Sequence, residues 1–373
     1  MSQPQKSQGK ADRIAGRATA VGTKRFAERF ESSYSPDFYR YTAPDLTYSS
    51  LGMGTYLGDC NDREDDRYVE VLSAGMSKGV NVLDTAINYR CQRSERAVGR
   101  ALRKVIDSGI ASRDEIVVCT KGGYVPLEGA PPSTRAEYDA YLEKEFFSRS
   151  VIAKSDLVAG GHCVRPRFLA DQIERSRKNL GVDTIDVFYL HNPEQQLDGL
   201  DHTRFTTVMS DAFTELESQV SAGTIGTYGC ATWNGFRVFA ANKSHLNLAD
   251  LVAVAEKVGG KSHHFRSIQL PVNLAMTEAV RAPTQSHNGK NRSLLDLADD
   301  MGMSVVASAS LMQSQLTSNL PAEVKSLFPS LTTDAQRAIA FVRSLPVDSA
   351  LVGTRSVSHL HENIAACTAV TPA

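Results

Sequence analysis

The chain has 373 residues, with 41 Lys and Arg against 42 Asp and Glu, a formal net charge of −1 and a pI near 6.8. So even a balance leaves no basic field for nucleic acid or anionic lipid, no apolar run approaches the length of a membrane-spanning helix, and the N-terminus lacks the apolar core of a secretory signal. The six cysteines (Cys60, Cys91, Cys119, Cys163, Cys230 and Cys367) are scattered without CxxC pairs, which argues against a disulfide framework or a zinc knuckle and fits a reduced, cytoplasmic protein.

Residues 1–30 are polar and basic and read as a leader followed by one surface helix, within an N-terminal extension of 1–45 that is expected to be partly flexible. From Leu46 the pattern alternates. Runs rich in Val and Ile at 48–56, 80–86, 116–122, 185–191, 225–232, 267–273, 303–311 and 349–353 read as strands covered on both faces. Helical periodicity fills 65–78, 94–108, 167–180, 204–222, 236–258, 292–301, 333–344 and 357–366. Phe205, Val208, Met209, Ala212, Leu216 and Val220, for example, share one stripe. Ala97, Val98, Ala101, Leu102 and Val105 do the same, with Ser94 as the expected N-cap.

Eight strand–helix units in strict alternation predict an α/β protein whose parallel sheet closes as a (β/α)8 TIM barrel over 46–373. Two insertions interrupt it. One, 124–164, follows strand three and carries a short helix over 135–147; the other, 277–291, follows strand six and is polar, with Pro283, Asn288 and Gly289. An open doubly wound sheet would need a Gly-rich phosphate turn after the first strand, and LGMGTYLGD is not followed by a helix at the required spacing.

Functional side chains of such a barrel gather at the carboxyl ends of its strands. Those ends carry Asp84 and Tyr89 after strand two, Lys121 at the end of strand three and His191 at the end of strand four. A carboxylate at the end of a buried strand needs a partner, because an unpaired buried charge costs several kcal/mol or more. Lys121 is the expected partner. A Lys beside a phenol lowers its pKa from about 10, and a His alongside orients a polarised carbonyl oxygen. The set fits a proton donor for a carbonyl that receives a hydride. The adjacent His263 and His264 lack a Cys or carboxylate at ligand spacing and read as solvated turn residues, so no metal is expected.

With Asp84 and Tyr89 in DTAINY, Lys121 in CTKGG and His191 in YLHNPE, the sequence resembles the aldo-keto reductase superfamily from about Leu46 to the C-terminus. The resemblance implies a nicotinamide coenzyme, NADP(H) in preference to NAD(H), and a small carbonyl or sugar substrate that is reduced, or oxidised in reverse. It puts Gly54 and Thr55 near the nicotinamide, with Gln269 meeting its carboxamide, and Tyr56, Asn192 and Trp233 around the substrate. The tail VGTRSVSHLHEN resembles the family's adenosine-phosphate segment: Gly353 leads in, Thr354 and Arg355 face a 2′-phosphate, His359 stands where Arg is common, and Glu362 and Asn363 meet the adenine. Two motifs depart from the family. GCATW has Ala231 and Thr232 in place of Ser-Asn, and ASASLMQSQL has Ser308 in place of the stacking aromatic, with Leu311 and Gln313 following along the coenzyme. These departures keep a second class of function in view, a nucleotide-binding, redox-sensing regulatory subunit with little turnover. A third is a Schiff-base lyase built on Lys121. The sequence selects neither a monomer nor a homo-oligomer.

Overall fold

The computed structural model describes residues 13–43 and 45–368, so the first part of the N-terminal extension lies outside the described residues. Eight parallel strands form a closed barrel in chain order: β1 (Leu51–Gly54), β2 (Val82–Asp84), β3 (Val117–Gly122), β4 (Ile185–His191), β5 (Ile225–Ala231), β6 (Phe265–Pro271), β7 (Ser304–Ser308) and β8 (Ser349–Gly353). Closure is made by β8 on β1, where Gly353 stands beside Gly54. Each strand is followed by a helix: α1 (Asp62–Ser77), α2 (Arg93–Asp107), α3 (Pro166–Leu180), α4 (His202–Ser221), α5 (Leu248–Gly259), α6 (Leu294–Asp300), α7 (Asp334–Arg343) and α8 (Val357–Ala365). Among the described residues no helix is long and apolar enough to cross a membrane.

Local chemistry explains most boundaries. Asn61, Asp201, Ser293, Thr333 and Ser356 each accept a backbone N–H from the first turn of α1, α4, α6, α7 and α8. Pro166 opens α3 and left-handed Gly181 closes it. The apolar stripes of the helices pack on the outer faces of the strands, through residues such as Leu72, Val98, Ile173, Leu216 and Ile339. The barrel interior is filled separately by Tyr48, Val82, Val117, Cys119, Val187, Tyr189, Val306 and Leu351.

Several expectations need correction. The run 48–56 is not one strand: Thr47–Ser49 pairs antiparallel with Tyr39–Tyr41, and the barrel strand starts at Leu51. The helical pattern over 236–258 reduces to α5. Its first half is a loop, because the Phe236 and Leu246 carbonyls are taken by Gln285 and the Leu246 N–H bonds to Gly235. Strand seven stops at Ser308 because Ala309 turns left-handed. Ser94 is not the cap of α2: the helix starts at Arg93, and the Ser94 hydroxyl donates to the Thr55 carbonyl. In the first insertion, helix Arg135–Leu142 widens into a π-turn over Glu143–Phe147, around a small core of Leu142, Phe146, Ile152 and Phe168. The second insertion forms helix Glu278–Arg281 and a hairpin, Gln285–His287 with Lys290–Arg292, turned by left-handed Asn288 and Gly289.

The segment ahead of β1 belongs to the fold. Helix Ala20–Phe30 buries Phe26 completely, and Ile14 bridges to Val182. At the start of β4, buried Asp186 accepts the Ala18 N–H (2.6 Å) on Oδ1, and the Val118 N–H and the Arg113 guanidinium (2.7 Å each) on Oδ2. One carboxylate thus joins the extension, β3 and β4 at the face opposite the strand ends that carry Asp84 and His191. Removing one partner of a buried pair costs roughly 3–5 kcal/mol, so Asp186→Ala should lower the unfolding free energy by about that amount in urea titrations.

Candidate active site

Beyond β2 the chain is laid along β3, with the Thr85 N–H on the Cys119 carbonyl (3.0 Å) and the Ile87 N–H on the Lys121 carbonyl (3.2 Å). A turn from Ala86 presents Tyr89. Three consecutive left-handed residues, Arg90, Cys91 and Gln92 (φ 49°, 54° and 70°), then swing the chain into α2. Such backbone costs on the order of 1 kcal/mol or more per non-Gly residue and persists only where its surroundings enforce it. Here Arg90 is buried, bonding the Asp59 carbonyl (2.8 Å) and Asp65 (2.5 Å), and Gln92 donates to the Leu127 carbonyl (3.0 Å) and Glu128 (3.0 Å). The position of the Tyr89 ring is therefore held from both loops beside it.

Lys121 is fully buried. Its Nζ meets Asp84 Oδ2 at 2.5 Å and the Thr85 carbonyl at 2.8 Å, and lies 5.0 Å from the centre of the Tyr89 ring. Gln269 donates to the other Asp84 oxygen at 2.8 Å, so both carboxylate oxygens are engaged. That contact takes the amide nitrogen of Gln269, the residue expected to meet a carboxamide. Burial works against the Lys121 ammonium, but Asp84, with Tyr89 and Cys119 adding to it, offsets that and the pKa lies above the usual value. Tyr89 corrects the expectation of a lowered phenol: burial pushes its pKa up, Lys121 pulls it down, and the net shift is upward.

The His191 ring packs edge-on against Tyr89 (centroids 5.7 Å) and Tyr124 (5.0 Å). Burial, then the Lys121 charge, keep its pKa well below 6.5, so it is neutral. Behind it, fully buried His162 from the first insertion accepts Gln196 Nε2 on Nδ1 (2.8 Å), so its Nε2–H donates to the His191 carbonyl (2.7 Å). Burial presses the His162 pKa down to about 4.

These groups surround a cavity of about 660 Å³, within the range of small-molecule sites. Of the residues singled out from sequence, Gly54, Thr55, Tyr56, Asp84, Tyr89, His191, Asn192, Thr232, Trp233, Gln269, Ser308, Leu311, Gln313 and Gly353 line it. Lys121 stands behind the wall. Thr354, Arg355, His359, Glu362 and Asn363 lie beyond Gly353, outside the lining. There Arg355 is tied to buried Glu64 at 3.2 Å and Asn363 donates to Thr354 at 2.8 Å. Sequence reasoning missed Asn88, Tyr124, Glu194, Gln195, Asp198, Asn234 and Ser244, all on the lining. Only Asn88 and Glu194 had a signal, since they share the DTAINY and YLHNPE motifs. Of the histidine pair expected to be solvated, His263 is instead buried, while His264 keeps an exposed side chain and bonds Glu217 at 2.7 Å.

The family model described as the aldo/keto reductase family matches residues 50–373. The chain belongs to that family. Among individual relatives it is 28% identical over 189 residues to D-threo-aldose 1-dehydrogenase of a Pseudomonas species, a match covering 50% of this chain and 49% of the relative. It is 26% identical over 152 residues to the NADH-specific methylglyoxal reductase of Escherichia coli K12, covering 39% of each. The chain thus spans about half or less of the curated relatives it matches. Solved structures share the fold: an aldo/keto reductase of Klebsiella pneumoniae in complex with NADP and acetate (TM-score 0.58, 18% identity, 89% of this chain and 90% of that one) and the holo form of one from Bacillus halodurans (0.59, 18%, 90% and 92%).

The family implies a nicotinamide coenzyme, and the residues of this cavity fit one. The Thr232 hydroxyl is buried on the lining without a partner, and a buried polar atom of that kind calls for a ligand or water. Ser308, Ser310, Gln313 and Ser314 add further polar side chains to the lining. The buried histidines also set an acid limit on stability. A ring whose folded pKa lies below its unfolded 6.5 keeps full stability above that pH. It loses up to about 1.4 kcal/mol per pH unit as pH falls toward the folded value. Stability should therefore decline from about pH 6.5 toward pH 4, where His162 titrates, and His162→Gln should give a shallower acid limb in denaturant titrations across pH.

Proposed function

We propose that this protein reduces an aldehyde or ketone to an alcohol, or runs the reverse oxidation, with a nicotinamide coenzyme. The observation that carries this reading is the meeting of Tyr89, His191 and the Lys121–Asp84 pair at one end of the barrel, with the phenol and imidazole on the cavity. When bound, the dihydronicotinamide supplies the hydride. Thr232, Ser308, Leu311, Gln313, Gly54, Thr55, the free end of Gln269 and Gly353 would hold that end. The adenosine end would follow Thr354, Arg355, His359, Glu362 and Asn363, with Arg355 leaving Glu64 for a 2′-phosphate, which favours NADP(H) over NAD(H).

The chain's own residues handle the proton. Neutral His191 donates an N–H to the carbonyl oxygen and Tyr89 gives that oxygen its proton. The raised Tyr89 pKa keeps the phenol protonated in the free protein, while the ammonium of Lys121 is placed to stabilise the phenolate left behind. Asp84 and the Thr85 carbonyl hold that ammonium in place. The same bonds weigh against the lyase reading, because a buried, paired Lys121 with a raised pKa is a poor nucleophile.

General acid catalysis contributes about 10²–10⁴-fold, so Tyr89→Phe should lower kcat by at least that factor with coenzyme affinity within about twofold; near-normal turnover on the best carbonyl of a broad panel would sink the assignment. For the phosphate end, Arg355→Ala should weaken NADPH binding about tenfold, from loss of a charge-assisted contact, and leave NADH unchanged; equal effects on both would remove Arg355 from coenzyme selection.

A further inference from the structure

Two thiols stand next to the site and take no part in the chemistry above. Cys91 lies two residues beyond Tyr89, within the left-handed run, and is buried. Cys60 lies four residues beyond Tyr56, in the loop that leaves β1, and is partly exposed. The two loops are laid side by side. Arg90 donates to the carbonyls on either side of Cys60, those of Asp59 (2.8 Å) and Asn61 (3.4 Å), and Arg93 pairs with Asp65 (2.7 Å). Between these ties the side chain of Cys91 meets that of Cys60, thiol to thiol. The other four cysteines are buried in apolar packing, Cys119 inside the barrel, Cys163 in the first insertion, and Cys230 and Cys367 in the core around the barrel.

The settings of the pair differ in a way that orders a reaction. A thiol reacts as its thiolate and must be reached by the reagent. Burial, with Cys60 and Glu128 adding to it, pushes the Cys91 thiol up to about 12, so it stays protonated. Cys60 is the only one of the six cysteines that is not buried, and so is the sulfur a dissolved oxidant meets first.

We infer that Cys60 and Cys91 are an oxidisable pair, closed to a disulfide by a hydroperoxide and reopened by a dithiol, and that closing it moves Tyr89 out of its working position. The Cys60 thiolate attacks the peroxide O–O bond, forming a sulfenic acid and releasing hydroxide that takes up the Cys60 proton and leaves as water. The Cys91 sulfur then attacks the Cys60 sulfur, forming the S–S bond and expelling the hydroxyl, which leaves as water with the Cys91 proton. Two thiols are oxidised, one peroxide is reduced and two waters form. A dithiol reverses the change by exchange and becomes a disulfide itself.

The consequence comes from what the two loops carry. Tyr56 and Leu57 line the cavity from one and Asn88 and Tyr89 from the other, and the Tyr56 and Tyr89 rings meet edge to face with centroids 5.0 Å apart. A disulfide has a stricter geometry than a contact between thiols, so closing it draws Cys91 toward Cys60 and shifts the loop that holds Tyr89 over Lys121. A displacement of about 1 Å at a reacting group costs on the order of a hundredfold in rate. The loss of turnover rests on the reductase reading above; the disulfide itself does not.

The test treats the reduced full chain with near-stoichiometric hydrogen peroxide, caps the remaining thiols with N-ethylmaleimide in denaturant and reads the unreduced digest by mass spectrometry. Alongside, kcat is measured on the best carbonyl of the panel before peroxide, after it and after dithiothreitol. A peptide pair joined through Cys60 and Cys91 should appear, kcat should fall at least about tenfold, and dithiothreitol should reverse both. Cys60→Ser should match the untreated kcat and keep it after peroxide, whereas Cys91→Ser should accumulate a Cys60 sulfenic acid that dimedone traps. Cys60 and Cys91 both capped after peroxide, an equal peroxide loss in Cys60→Ser, or a disulfide that leaves kcat unchanged would overturn the proposal. A reversible Cys60–Cys91 disulfide in a chain that turns over no carbonyl in either state would instead sink the reductase reading and leave the oxidisable pair standing.

Discussion

A lysine ammonium enclosed in protein at the carboxyl end of a parallel barrel is the constraint on which the site depends. Lys121 can stay charged there only because Asp84 meets it at 2.5 Å and the Thr85 carbonyl caps it. Asp84 in turn is held by Gln269 from the far side of the barrel. The pair draws β2, β3 and β6 into one arrangement, and the loop leaving Asp84 carries Tyr89 back over the ammonium. Any shift of that loop would separate phenol from charge, which explains why three left-handed residues are tolerated behind it, clamped by Arg90 and Gln92.

The opposite face of the barrel shows the same economy with a different purpose. Asp186 gathers Arg113, Val118 and Ala18 where no cavity residue lies, so one end of the barrel is locked and the other is lined with polar atoms. Thr232 Oγ1, His191 Nδ1 and Glu194 Oε2 are buried around the cavity without partners. A buried polar atom without a protein partner calls for a ligand or a water to complete its bonding. Glu194 shapes the loop that carries Trp233, its Oε1 accepting the N–H groups of Trp233, Asn234 and Gly235.

Legibility from sequence followed the range of the physics involved. Eight strand–helix units were readable because periodicity and strand composition are local. The strand-end residues were readable with them, since a barrel delivers each strand's last residue to one rim. The split of 48–56 was not, because Thr47–Ser49 answers to a partner strand at Tyr39–Tyr41. Nor was the loss of the first half of helix 236–258, whose carbonyls are claimed by Gln285. Tyr124, Asn234 and Ser244 reach the cavity through loop conformations that no spacing encodes.

From sequence alone, then, came the barrel, the Asp84–Tyr89–Lys121–His191 set and the departures at Ala231, Thr232 and Ser308, all properties of residue type and order. Tertiary structure alone decided the balance of charges. It assigned Gln269 to Asp84, Arg355 to Glu64 and His162 to the back of His191. It also turned the shift of Tyr89 upward, because desolvation by the folded chain outweighs the pull of one lysine. Burial and long-range partners set these quantities, and both exist only once the barrel has closed.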